Sequence, residues 1–207
     1  MTTTAAILLI VAAISAAADW WAVHRGDDRR EAMAKPIVIL ALIGAAATVD
    51  PVSNAMRWWF VVALVLCLIG DVALLPRLDA FVVGLGSFLL AHVAYVIGML
   101  PHVDSWPLAI VAAVIVAADL IVVGRPVLRG APAPLRIPVA VYFGAISTLV
   151  IVAYATGSYA LAAGALLFLA SDSLLGWGRF VGPAPGGRVA VHVTYHLAQA
   201  VLVIGLS

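Results

Sequence analysis

The fold class predicted by this sequence is an all-α membrane protein, one bundle of eight transmembrane helices, and three observations predict it. First, 65% of its 207 residues are hydrophobic and only 10% are charged, against roughly 45–50% and 25% in soluble domains. Second, turn residues and charges cut the chain into eight apolar runs, most of them near the ~20 residues a bilayer core requires. Third, the basic residues gather in alternate breaks between those runs.

The runs are 3–23, 35–50, 57–75, 80–100, 106–124, 137–156, 159–178 and 188–206. The first ends in ISAAAD, which resembles a small-residue cleavage site. No Lys or Arg precedes it to form a positive n-region, so it reads as a retained helix. The breaks are GDDRRE, DPVSN, PRLD, PHVDSWP, GRPVLRGAPAPLR, ATGS and GPAPGG, where Gly and Pro end helices. Residues 1–207 then form a single transmembrane domain.

Arg25, Arg29, Arg30, Lys35, Arg77, Arg125, Arg129, Arg136, Arg179 and Arg188 fall after odd-numbered runs, and only Arg57 falls on the other side. That asymmetry predicts an even number of spans with both termini outside, as in a bacterial inner (plasma) membrane protein. All six tryptophans lie near the ends of runs, where an aromatic belt forms. The net charge of +1 and the lack of a basic stripe exclude a nucleic-acid partner. The single Cys67 excludes a disulfide framework or a thiolate metal site.

A charge at the centre of a spanning helix costs roughly 2.5–3.5 kcal/mol on insertion scales, so each acid here needs a partner or a use. Asp19, Asp71 and Asp119 precede an arginine by six residues and Asp172 by seven, which at ~1.5 Å per residue sets all four roughly 9–10 Å inside their helix ends. Short matches at an offset of 100 or 101 (AAD at 17 and 117, GDVALL with SDSLLG, HVAY with HVTY) suggest that helices 1–4 and 5–8 are parallel 4+4 copies. Asp19 and Asp119 have aliphatic or aromatic neighbours and read as snorkelling side chains. Asp71 and Asp172 differ: Gly70 beside one allows close helix approach, and Ser171 and Ser173 beside the other can bond a carboxylate.

The run GDVALLPRLDAFVVGLGSFLLAHVAYVIGM carries Gly70, Asp71, Phe81, Gly84, Leu85, Phe88, Ala91, His92 and Tyr95 in the order G-D then F-x-x-G-L-x-x-F-x-x-A-H-x-x-Y. A second block, GALLFLASDSLLGWGRF followed by TYHLAQAVLVIG, carries Gly164, Phe168, Ser171, Asp172, Ser173, Phe180, Tyr195 and Gln199. With Lys35-Pro36 and Tyr142, these blocks resemble the YhhN/TMEM86 membrane proteins, which include the lysoplasmalogenases. The stretch Ala145-Ile146-Ser147-Thr148 departs from relatives that carry bulkier residues there. The resemblance implies hydrolysis of the vinyl ether bond of a lysophospholipid, giving a fatty aldehyde and a glycerophospho-ethanolamine or -choline. It implies no metal and no cofactor.

Vinyl ether hydrolysis needs an acid to protonate the β-carbon, an anion to steady the oxocarbenium ion and a base to activate water. Two carboxylates in low dielectric divide such roles, as in glycosidases. Asp71 and Asp172 are the catalytic candidates, with the two roles not assigned between them. Lys35, read at the start of helix 2, either meets a substrate phosphate, pairs with an Asp or is an ordinary positive-inside anchor. Tyr142 and Tyr195 reach the depth of the acids and either bond them or fill the core. Tyr95, Ser171 and Ser173 are further supporting candidates, and Gln199 is a candidate to position water. His92 reads as a core histidine bonded across helices. His192 and His196 stand at i and i+4, but Val193 replaces the glutamate of HExxH, so a zinc site is not expected. An intramembrane aspartyl protease is disfavoured because Leu68 stands where GxGD needs its first glycine. A proton-coupled transporter is the alternative, since parallel repeats with membrane acids suit alternating access.

Overall fold

The computed structural model describes residues 1–207 and contains helices and no strands. Eight helices are long and apolar enough to span a membrane: α1 (Thr3–Arg25), α2 (Asp28–Thr48), α3 (Asn54–Ala73), α4 (Phe81–Met99), α5 (Trp106–Gly130), α6 (Ala133–Ala155), α7 (Tyr159–Phe180) and α8 (Gly187–Ile204). Side chains cap several of them. Thr2, Asp27, Ser53 and Ser158 each accept a hydrogen bond from a first-turn backbone N–H, supplying donors that would otherwise be unpaired.

Two boundaries differ from the sequence reading. Helix α2 begins at Asp28 rather than 35, because Asp27 caps it and Asp28 and Glu31 occupy its first turn, where acids suit the helix dipole. Pro36, which reads as a helix start, lies inside the helix. Lys35 is therefore two turns into α2 and buried, not an anchor at its end. Helix α5 runs on to Gly130 through a wide π turn at Leu120–Gly124. Pro126 follows that turn and has no N–H to donate, a lack that such a turn absorbs. The predicted GRPVLRGAPAPLR loop shrinks to Ala131-Pro132.

Packing then builds a ring. The pairs α1–α2, α3–α4 and α7–α8 are close hairpins; α2 also lies on α3, α4 on α6, α6 on α7 and α8 on α1. Seven helices thus close a circle, while α5 stands outside it against α6 as the least buried span. Inside the ring, Phe60, Tyr95, Phe168, Leu64, Ile146 and Leu149 are fully buried. Gly70 is required here: a Cβ at this position would lie 2.6 Å from the Phe88 ring, so its absence lets α4 close on α3 beside Asp71. We propose the 4+4 duplication on the recurrence of α1–α2, α2–α3 and α3–α4 contacts as α5–α6, α6–α7 and α7–α8. The circle departs from that pattern at one place, because α8 lies on α1 whereas α4 has no comparable seat on α5.

Candidate active site

Helices α2, α3 and α8 converge on Asp71, which is 1% exposed. Lys35 Nζ from α2 stands 3.1 Å from Asp71 Oδ1, and the Tyr195 hydroxyl from α8 donates to Asp71 Oδ2 at 2.8 Å. The pair is charge-balanced, as a buried ion requires. Asp71 lies two residues from the end of α3, whereas Asp119 lies eleven from the end of α5; the acids are not equally far from their helix ends.

Asp172 on α7 has different company. The Tyr142 hydroxyl of α6 donates to Asp172 Oδ2 at 2.8 Å, and His92 Nε2 of α4 is 3.5 Å from the same oxygen. His92 is fully buried against the rings of Phe168 (4.7 Å between centroids) and Tyr142 (5.2 Å), and neither ring nitrogen has a hydrogen-bond partner. The expected cross-helix hydrogen bond is thus absent, because aromatic faces fill the space around the imidazole and leave Asp172 as its polar neighbour.

Three neighbouring cavities with shared lining residues surround these groups. A polar chamber of ≈ 100 Å³ is lined by Asp71, Asp172, Lys35, Glu31, His192, Arg188, Tyr195 and Ser171. An apolar slot of ≈ 30 Å³ runs between Phe81, Leu85, Phe88, Val127, Val139, Phe143 and Phe180, with Asp172 and Tyr142 as its polar lining. A vestibule of ≈ 530 Å³ carries Arg179, Arg188 and Asp79. Asp172 lines both chamber and slot, and Leu74 and Leu175, each three residues after a candidate Asp, line all three cavities. At the vestibule rim Arg179 bonds Asp79 at 3.0 Å and lies 4.9 Å over the Phe81 ring, which meets Phe180 edge-on.

The remaining candidates are placed elsewhere. Ser171 donates to the Val191 carbonyl at 3.0 Å, and Ser173 donates to Asp119 at 2.9 Å instead of to Asp172, because two residues along a helix point to different faces. Tyr95 donates to Gln199 Oε1 at 2.5 Å, and Gln199 Nε2 is 3.1 Å from Cys67 Sγ. Gln199 is fully buried and committed to ties among α3, α4 and α8, so it does not sit in the chamber as a water-positioning group.

Sequence reasoning missed a second polar cluster. Asp19, read as snorkelling, is 0% exposed and sits 2.7 Å from His192 Nδ1. His192 Nε2 faces Glu31 Oε1 at 3.8 Å, and both oxygens of Glu31 accept from Arg188, at 2.6 and 2.7 Å. Trp20 Nε1 donates to His196 Nδ1 at 3.1 Å, so the two histidines of the i, i+4 pair take different partners. The available signal was the register of Glu31 and Lys35, one helical turn apart.

The model of the YhhN family matches residues 30–206. A Mycobacterium bovis protein named lysoplasmalogenase is 36% identical over 174 residues, covering 79% of this chain and 66% of the relative. The chain therefore spans about two thirds of that relative's length. Human lysoplasmalogenase TMEM86B is 31% identical over 176 residues, covering 84% of this chain and 74% of the relative. The Sus scrofa TMEM86B is 30% identical over 147 residues, covering 70% and 62%. No solved structure matches the chain.

Proposed function

The chain belongs to the YhhN family, and from that premise we propose that it is an integral membrane lysoplasmalogenase, hydrolysing the vinyl ether bond of a lysophospholipid. The observation that carries this reading is the position of Asp172 on the border between the polar chamber and the apolar slot. A lysoplasmalogen changes from polar to apolar at its vinyl ether. With its glycerol in the chamber and its chain in the slot, that bond meets Asp172. The slot is narrow, so the chain enters as Phe81 and Phe180 part.

Asp172 is the acid. Its partners are a phenol and an imidazole in a largely apolar wall, where a neutral carboxyl avoids the cost of an unpaired buried charge. It protonates the β-carbon of the alkenyl chain. Asp71 is the anion, kept ionised by Lys35, and it steadies the oxocarbenium ion through a preorganised electrostatic field. Water adds to the carbon bearing the oxygen, and the hemiacetal collapses to aldehyde and glycerol hydroxyl. Arg188, half exposed between chamber and vestibule, offers a cation to the phosphate. The one-sided basic residues support placing the vestibule on the cytoplasmic side of a bacterial inner membrane, with both termini outside.

The test is aldehyde release from a lyso vinyl-ether lipid by purified protein in detergent, without a gradient. Aldehyde and glycerophospho product are expected in equal amounts. No turnover in detergent, together with gradient-dependent uptake in vesicles, would instead mark a transporter.

A further inference from the structure

We propose that His192 is the base that takes the proton of the attacking water, and that Asp19 is its positioning residue; this rests on the lysoplasmalogenase reading above. Hydration of the oxocarbenium ion releases a proton that some group in the chamber must accept. Asp71 is poorly suited, because protonating it would strand the Lys35 ammonium, 6% exposed, without its counter-ion. Glu31 is occupied, since both of its oxygens accept from Arg188. His192 remains. It lines the chamber with Asp71 and Asp172, and its Nδ1 lies 2.7 Å from Asp19 Oδ2.

The carboxylate fixes the tautomer. With the Nδ1 proton donated to Asp19, Nε2 carries the lone pair, and Glu31, 3.8 Å away, is beyond hydrogen-bond reach of it. The charged and titratable groups around the imidazole are Asp19 on α1, Glu31 and Lys35 on α2, Arg188, Tyr195 and His196 on its own helix, and, across the chamber, Asp71 on α3 and Asp172 on α7. Asp19, Glu31 and Asp71 set three negative charges against the two positive charges of Lys35 and Arg188. With neutral His192 the cluster carries one uncompensated negative charge. That excess favours formation of a cation in the chamber; once Asp172 has given up its proton and become a second excess negative charge, protonation of His192 returns the cluster to a single one.

The protons balance through one turnover. Asp172 gives its proton to the β-carbon. As the water oxygen bonds to the adjacent carbon, one of its protons passes to His192 Nε2. His192 returns it to the glycerol oxygen as that carbon–oxygen bond breaks, while the hemiacetal hydroxyl proton restores Asp172.

The test separates carbon protonation from hydration, using the full-length protein in D₂O with the lyso vinyl-ether lipid. Asp172→Asn should lower aldehyde release by about 10³-fold and place no deuterium in recovered lipid. His192→Gln should lose about 100-fold in aldehyde release yet return lipid deuterated at the vinyl β-carbon, because the cation formed reverts instead of hydrating. Asp19→Asn, which leaves the imidazole in place, should lower kcat about tenfold at unchanged KM with the same label. It serves as the deciding variant should His192→Gln not elute as a monodisperse protein. Wild-type rate in either folded variant, or a lost rate with unlabelled lipid in a folded one, overturns the assignment of His192. Absence of aldehyde release by the wild type overturns the lysoplasmalogenase reading itself.

Discussion

The polar chamber and the apolar slot share Leu74, Phe88, Asp172 and Leu175, yet they treat their carboxylates in opposite ways. On the chamber side, Asp71 is balanced by Lys35 and bonded by Tyr195. On the slot side, Asp172 has Tyr142, His92 and a wall of aliphatic and phenyl groups. The difference supports the proposed division of work between two acids quoted together in sequence. A charge kept ionised by a buried ammonium suits stabilising a cation, and a carboxyl in an apolar wall suits giving up a proton to carbon.

Removing the acid should break the comparison most completely. Asp172→Asn is expected to lower aldehyde release by about 10³-fold, ~4 kcal/mol in the barrier, while affinity for a saturated ether analogue stays within a factor of about two. Steady-state kinetics with competitive inhibition by the analogue measures both.

Next in size is the chamber pair. Lys35→Met leaves Asp71 buried without its cation and should cost roughly 3–5 kcal/mol of stability. Lys35→Met combined with Asp71→Asn should recover much of that in thermal unfolding, although without activity. A double variant no more stable than Lys35→Met alone would show that the pair is not a unit.

Tyr142→Phe removes the hydroxyl that holds Asp172 and is expected to slow turnover about tenfold, a loss of ~1.4 kcal/mol. The slot itself can be narrowed. Gly176 lines the slot, and a Cβ there meets nothing closer than the Val127 methyls at 3.5 Å, so Gly176→Ala fits the backbone and narrows the slot. KM should rise several-fold for long alkenyl chains and hold for short ones. Equal effects on both would argue that the chain lies elsewhere. The smallest effect belongs to the rim, where Arg179→Gln breaks an exposed pair with Asp79. Stability should change by about 0–1 kcal/mol, with a modest rise in kcat/KM if parting of Phe81 and Phe180 limits chain entry.

Much of this fold was readable because membrane insertion leaves a coarse record. Apolar runs, turn residues and one-sided arginines locate eight helices without knowledge of their neighbours. Asp71 and Asp172 stood out because Gly70 and the flanking serines mark close packing. The partners were harder. Asp19 lies in a run of alanines, and its reason for burial, His192, is 173 residues away. Glu31 sits in GDDRRE, which reads as loop until Asp27 is seen to cap a helix there. Ser173 faces Asp119 and Gln199 faces Tyr95, pairings set by helix rotation, which short motifs do not encode.

The most direct measurement is a structure of the protein with a saturated alkyl ether lysophospholipid, which the enzyme cannot cleave. Its phosphate is expected near Arg188, its chain between Phe143 and Phe180, and its first chain carbons against the Asp172 carboxyl. Density for the ether oxygen outside the seven-helix ring, with chamber and slot unchanged, would contradict catalysis at this border.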